Sequence, residues 1–189
     1  MYSLIINIIK KILGGGRHFL HEPYFCGNEW KYVKKTLDDN YVSSIGSFVD
    51  KFEDQIKKFT KSKYAISVVN GTEALHLGLV ACGVKKNDEV IVPTITFAGT
   101  ANAITYSGAV PHFVDSELET LGIDPIKLEK YLKEISIKKG KFYFNRKTNR
   151  RISAIIPVHV FGNICQIDEI LKIAKKYNLI VIEDAAEAL

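Results

Sequence analysis

Four short, almost uninterrupted apolar runs limit what this chain can fold into: Glu89–Pro93, Ala109–Val114, Ile152–Val158 and Leu179–Asp184. Each is too short for a helix and carries the β-branched residues of a strand that is buried on both faces. Segments with the apolar spacing of helices lie between them, through Ala101, Ile104 and Tyr106, from Asp124-Pro125 onward, and from about Ile167 to Tyr177. Strands and helices in alternation predict an α/β fold with a mostly parallel sheet covered on both sides. Ligands of such sheets sit beyond the carboxyl ends of the strands. Asn70-Gly-Thr72, Thr94 to Phe97, Asp115, His159 and Asp184 all fall there and are expected to converge.

The stretch from Ser67 to Leu79 predicts a strand, a tight turn at Asn70-Gly-Thr72 and a helix start, with Asn70 or Gly71 supplying a positive φ. Ala74, Leu75, Leu79 and Cys82 would make one broad apolar face. The unpaired amides at such a helix start, with the Thr72 hydroxyl, suit a phosphate or carboxylate; the same hydroxyl equally suits an N-cap. Glu183-Asp-Ala-Ala-Glu187 is similarly double-valued. Asp184 is either a carboxylate at a strand end with room for a flat ring beside it, or a helix cap with Glu187 at the third position.

The chain of 189 residues is 47% hydrophobic and 25% charged, which excludes a disordered polypeptide and allows a sizeable core. Its net charge of +5 owes most to Lys138–Arg151, seven cations without an acid, expected to be a solvated hairpin or loop. No recognition motif for nucleic acid accompanies it. Cys26, Cys82 and Cys165 have neither disulfide-framework nor metal-ligand spacing, so no metal is expected and a cytoplasmic compartment is. Residues 1–17 are expected to form an amphipathic helix, too short to span a bilayer. Leu4, Ile5, Ile8 and Ile12 share a face suited to docking on the body of the protein or a second subunit. Asn28 should cap a helix with Trp30, Val33 and Leu37 inward, and a second helix should follow Ser47 with Val49, Phe52, Ile56 and Phe59 at helical spacing. The loop Tyr41–Gly46 joins them.

Taken together, Asn70-Gly-Thr-Glu-Ala-Leu75, Asp88-Glu-Val-Ile-Val-Pro-Thr-Ile-Thr-Phe97, Val158-His-Val-Phe-Gly162 and Glu183-Asp-Ala-Ala186 resemble, in order and spacing, the DegT/StrS family of pyridoxal-phosphate-dependent sugar aminotransferases. The likeness runs from about Phe19 to the end. Leu20-His-Glu-Pro23, Gly27-Asn-Glu-Trp-Lys-Tyr-Val33, Val42-Ser-Ser-Ile-Gly46, His112-Phe-Val-Asp-Ser116 and Thr120-Leu-Gly-Ile-Asp-Pro125 are similar to its legionaminic-acid-pathway (LegC-type) branch, which aminates a UDP-linked 2-acetamido-2,6-dideoxy-4-keto sugar.

The resemblance implies the large domain of fold-type-I transferases: a three-layer α/β fold with a mostly parallel sheet, incomplete here. Residues 18–189 would be its N-terminal part, with the small C-terminal domain absent. It implies pyridoxal 5'-phosphate as cofactor, its phosphate at Gly71 and Thr72, its ring against Phe97, its ring nitrogen paired with Asp184 and its phenolic oxygen near Glu187, with His159 lining the catalytic site beside Asp184. It further implies an amino-acid donor, glutamate first, a homodimer into whose site the loop Tyr41–Gly46 reaches, and the basic segment near the UDP diphosphate. The family's Schiff-base lysine lies beyond Asp184 in a later motif, and no lysine here takes its place. The chain alone is therefore expected to be poorly soluble and inactive. Rival readings are a same-fold sugar-nucleotide dehydratase, a Rossmann-type nucleotide binder, which lacks its Gly-x-Gly-x-x-Gly, and a truncated non-catalytic product.

Overall fold

The computed structural model describes residues 2–14, 16–17 and 23–189. Leu20, His21 and Glu22 of the first branch motif lie outside them. The chain divides into two compact units, residues 1–65 and 66–189.

The first unit holds three helices, α1 (Tyr2–Leu13), α2 (Glu29–Asp38) and α3 (Ser47–Thr60), none with a buried residue. Helix α2 departs from expectation. Asn28 makes no side-chain cap, and Trp30, Val33 and Leu37 are exposed at 77%, 53% and 56%. Glu29 takes over the work at this end, its carboxylate accepting the Gly27 N–H at 2.8 Å. Within the unit, the rings of Tyr32 and Phe48 meet at 5.3 Å.

The second unit is built on a mixed six-stranded sheet. Its strands are β1 (Glu89–Pro93), β2 (Val110–Val114), β3 (Ser136–Lys139), β4 (Phe142–Asn145), β5 (Arg151–Ile155) and β6 (Ile180–Val181). Strand β1 lies parallel between β2 and β5. The other edge of β5 is shared: β4 pairs antiparallel with Arg151 and Ile152, and β6 pairs parallel with Ala154 and Ile155. The basic segment is thus a β-hairpin continuous with the sheet. Its alternation explains this, since Tyr143 packs its ring on Tyr177 at 4.9 Å and Asn145 is buried, while Lys138, Lys139, Lys141 and Lys147 stay in water.

Helices cover both faces, giving the expected three layers. Leu75 and Leu79 of α4 (Gly71–Ala81) and Ala103 and Ile104 of α5 (Ala98–Tyr106) pack with Val90, Val92, Ala154 and Ile156. Leu128 and Leu132 of α6 (Pro125–Ile135) and Ile170, Ile173 and Ala174 of α7 (Ile167–Tyr177) pack on the opposite face with Ile91, Ile152 and Ile155. Asp124 caps α6 as expected, its carboxylate accepting the Ile126 and Lys127 N–H groups at 3.0 and 2.9 Å.

Ser67–Val69, expected as a strand, belongs to none of the six strands of the sheet, and Val69 is 85% exposed. The apolar face of α4 is narrower than its sequence implies. Leu75 and Leu79 are buried, Ala74 and Cys82 exposed.

At the amino end of β1, Glu89 is 2% exposed yet charged. It accepts hydrogen bonds from His112 Nδ1 (2.9 Å), Asn145 Nδ2 (2.9 Å) and Thr148 Oγ1 (2.5 Å). One buried carboxylate thus joins β1 to β2, to the end of β4 and to the turn that leads on to β5.

Candidate active site

The first turn of α4 is capped by Asn70, not by Thr72. Asn70 is extended, with φ −164°, and its side chain accepts the Glu73 N–H at 2.9 Å. No positive φ occurs at Asn70 or Gly71. This leaves the N–H groups of Gly71 and Thr72, and the Thr72 hydroxyl, without hydrogen-bond partners among the described residues. Unpaired amides at the positive end of a helix dipole form an anion-binding corner.

Helix α5 starts against that corner. A β-carbon on Gly99 would sit 2.6 Å from Thr72 Oγ1 and 2.9 Å from the Phe97 ring, so only glycine lets the two helix starts approach. The next residue, Thr100, is 1% exposed. Its hydroxyl donates to Asp184 Oδ2 at 2.7 Å and receives the Thr96 hydroxyl at 2.8 Å. Two adjacent residues of α5 therefore bring Thr72 and Asp184 into one neighbourhood. Phe97, just ahead of α5, is 80% exposed beside them.

The backbone of Asp184 continues the sheet beyond β6. Its N–H donates to the Pro157 carbonyl at 2.9 Å, and its carbonyl accepts the His159 N–H at 3.1 Å. A carboxylate on a backbone whose N–H and carbonyl are both paired to one neighbouring segment, with one oxygen fixed by a buried threonine, is rigid before any ligand arrives.

His159 is 4% exposed and fully engaged. The Cys165 N–H donates to Nδ1 at 3.2 Å, so the ring carries its proton on Nε2 and donates it to Glu183 Oε2, also at 3.2 Å. Both ring nitrogens of His159, expected to line the catalytic site, are thus taken up by Glu183 and the Cys165 backbone. Glu187 is also occupied: its carboxylate accepts the Phe161 N–H at 2.7 Å, where Phe161 adopts φ 53°.

Asp115 does not join the site. It pairs with Lys127 of α6 at 3.0 Å and accepts the Asp124 N–H through its carbonyl. The basic hairpin lies at the wrong end of the sheet to join it, pairing with Ile152 while Asp184 bridges to Val158. Six residues of strand separate these positions, roughly 20 Å. Thr100, absent from the residues expected at the site, fixes the carboxylate, and Thr96, within the stretch Thr94 to Phe97 that was expected there, supports Thr100. Two threonines one helical turn apart before an apolar face were the available signal.

A mixed sheet between helix pairs, with an anion corner at one helix start and a fixed carboxylate at the neighbouring strand end, defines the large-domain fold of fold-type-I pyridoxal-phosphate transferases. Within that class, residues 25–189 match the DegT/DnrJ/EryC1/StrS aminotransferase family, and the chain belongs to it. It is 42% identical over 167 residues to GDP-perosamine synthase of Caulobacter vibrioides, covering 88% of this chain and 41% of the relative. The aminotransferase from Psychrobacter cryohalolentis superposes with a TM-score of 0.73 at 31% identity, covering 91% of this chain and 40% of that one. E. coli GDP-4-keto-6-deoxy-D-mannose-3-dehydratase, solved with bound hydrated PLP, gives 0.70 at 28% identity, with 89% and 40% covered. The chain thus spans about two-fifths of the length of these relatives.

Proposed function

We propose that this chain supplies the cofactor-binding part of an aminotransferase that converts a nucleotide-linked 4-keto sugar to its 4-amino sugar. The observation that carries the reading is the Thr100–Asp184 hydrogen bond beside the open amides of Gly71 and Thr72. A fixed carboxylate and an anion corner, with Phe97 exposed next to them, match the polar and apolar features of pyridoxal 5'-phosphate. Gly71 and Thr72 hold its phosphate. Phe97 covers the ring, and Asp184 holds the proton at the ring nitrogen. When bound, the cofactor supplies the electron sink through which an amino group passes from an amino-acid donor to a keto acceptor. His159 holds Glu183 and Asp184 in line, and Glu187, which fixes the turn at Phe161, is assigned to the cofactor's phenolic oxygen.

The substrate we assign is a UDP-linked 2-acetamido-2,6-dideoxy-4-keto-hexose, with glutamate as donor, in legionaminic acid or related surface-polysaccharide synthesis. The support is the set of branch motifs, among them His112-Phe-Val-Asp-Ser116 and Thr120-Leu-Gly-Ile-Asp-Pro125. A GDP-linked 4-keto sugar is the second reading, favoured by the name of the Caulobacter relative. A homodimer belongs to the same proposal.

Cofactor binding is tested by titrating pyridoxal phosphate against the chain and following its absorbance. Thr72→Val and Asp184→Asn are each expected to weaken binding about tenfold, since each removes one hydrogen bond to a charged group. Unchanged affinity in both would refute the site. Substrate choice is tested with the protein in its active form, comparing amine formation from UDP- and GDP-linked keto sugars by mass spectrometry. Preference for the GDP sugar would replace the first reading with the second.

A further inference from the structure

Helix α1 is amphipathic in an unusual proportion. At 100° per residue, its polar positions Ser3, Asn7, Lys10 and Lys11 fall within an arc of roughly 100°. Leu4, Ile5, Ile6, Ile8, Ile9, Ile12 and Leu13, with Tyr2, fill an arc of roughly 200° on the other side. All eight are exposed, between 47% and 79%. A helix lying on a protein surface needs an apolar stripe of only about 100°. One twice as wide leaves apolar flanks in water on any shallow docking surface. The interface of a bilayer covers such an arc fully, because the helix sinks to the level of its polar stripe.

Charge selects the kind of surface. Lys10 and Lys11 stand on the polar arc, Arg17 follows, and residues 1–17 contain no acid. Cations on the polar side of an immersed helix lie at headgroup depth, where anionic phospholipids complement them. At 12 residues the helix is too short to cross, and no helix among the described residues is long and apolar enough to do so. We propose that α1 is an interfacial anchor that lays this protein on an anionic phospholipid surface. The family assignment plays no part in this inference, and its failure would leave the cofactor site untouched.

The test is co-flotation of the 189-residue chain with vesicles of phosphatidylcholine alone or of phosphatidylcholine and phosphatidylglycerol at a 7:3 ratio. Binding to the anionic vesicles is expected to exceed that to neutral ones tenfold or more, since each lysine near such a surface adds roughly fivefold. Lys10→Gln with Lys11→Gln should abolish the preference. Ile5→Asn with Ile12→Asn, at the centre of the apolar arc, should reduce anionic binding at least tenfold, while Asn7→Gln on the polar arc leaves it intact. The apolar pair buries nothing, so far-UV circular dichroism should be unchanged. Equal binding by parent and Ile5→Asn/Ile12→Asn overturns the proposal. So does a parent chain that ignores vesicles but self-associates until the same pair disperses it, which would make a second copy the occupant.

Discussion

Replacing Glu89 by glutamine keeps the shape of the buried side chain and removes its charge. Burial by itself pushes this carboxyl upward; the hydrogen bonds from His112, Thr148 and Asn145 outweigh that effect and hold it below the ordinary glutamate range. The glutamine amide cannot reproduce the set. Its NH2 would face donors where the carboxylate offered an acceptor, leaving at least one buried donor unpaired. Breaking one side of a buried ionic arrangement costs about 3–5 kcal/mol. With a urea dependence of about 2 kcal/mol per M, the unfolding midpoint should fall by roughly 1.5–2.5 M. The pH dependence has a definite sign. A carboxyl with a depressed native pKa contributes stability that is fully present above its unfolded pKa, about 4.3, and is lost as pH falls through the native value. The parent chain should therefore lose stability below about pH 4.3, and Glu89→Gln should lose correspondingly less there. Urea melts followed by far-UV circular dichroism at pH 7, 5, 4 and 3 measure both effects. A variant within about 0.5 kcal/mol of the parent at pH 7, or parallel losses down to pH 3, would refute the bonding scheme around Glu89.

Gly99→Ala places a β-carbon 2.6 Å from Thr72 Oγ1 and displaces that hydroxyl, so pyridoxal phosphate affinity should fall about tenfold with little change in the melting curve. Spectroscopic titration of the cofactor beside a thermal melt separates the two effects. Leu79→Ala removes a fully buried side chain between α4 and the sheet and should destabilise the fold by about 2–5 kcal/mol, read from urea melts. Cys165 is 3% exposed, and burial, helped by the nearby Glu183 charge, pushes its thiol up to about 11. Iodoacetamide at pH 8 should therefore label the exposed Cys26 and Cys82 at least ~10-fold faster than Cys165, as peptide mass spectrometry would show.

The strand–helix alternation was legible because burial on both faces writes itself into composition. Asp124-Pro125 and Ile167–Tyr177 began and ended elements as read, since caps and helical period are local signals. Ser67–Val69 misled for the converse reason: β-branched residues favour extension, but a strand also needs a neighbour, and pairing is not local. The inward faces assigned to α2 failed in the same way, since an apolar stripe states a preference for burial and names no partner. At the site, Asp184, Thr72 and Phe97 stood at legible strand and helix ends. The Thr100 hydroxyl did not, because its partner is 84 residues away in sequence and only the parallel register of the sheet brings it within 2.7 Å. His159 was legible as a strand-end residue lining the site; the Cys165 amide and Glu183 that engage its ring were not, because they belong to other segments.

The shared edge of β5 bears on how this sheet meets other chains. An outermost strand invites a further strand to pair with it, and proteins resist that with proline and lysine. Strand β2, at one margin, carries Pro111, which has no N–H to offer, and β3, at the other, ends in Lys138 and Lys139. By turning part of β5 over to a lysine-edged hairpin, the fold closes that flank to accretion. The short outer side of β6 carries neither device. Intermolecular β-association during refolding should therefore start at Ile180-Val181, and a lysine placed there would suppress turbidity more than one added at either guarded margin.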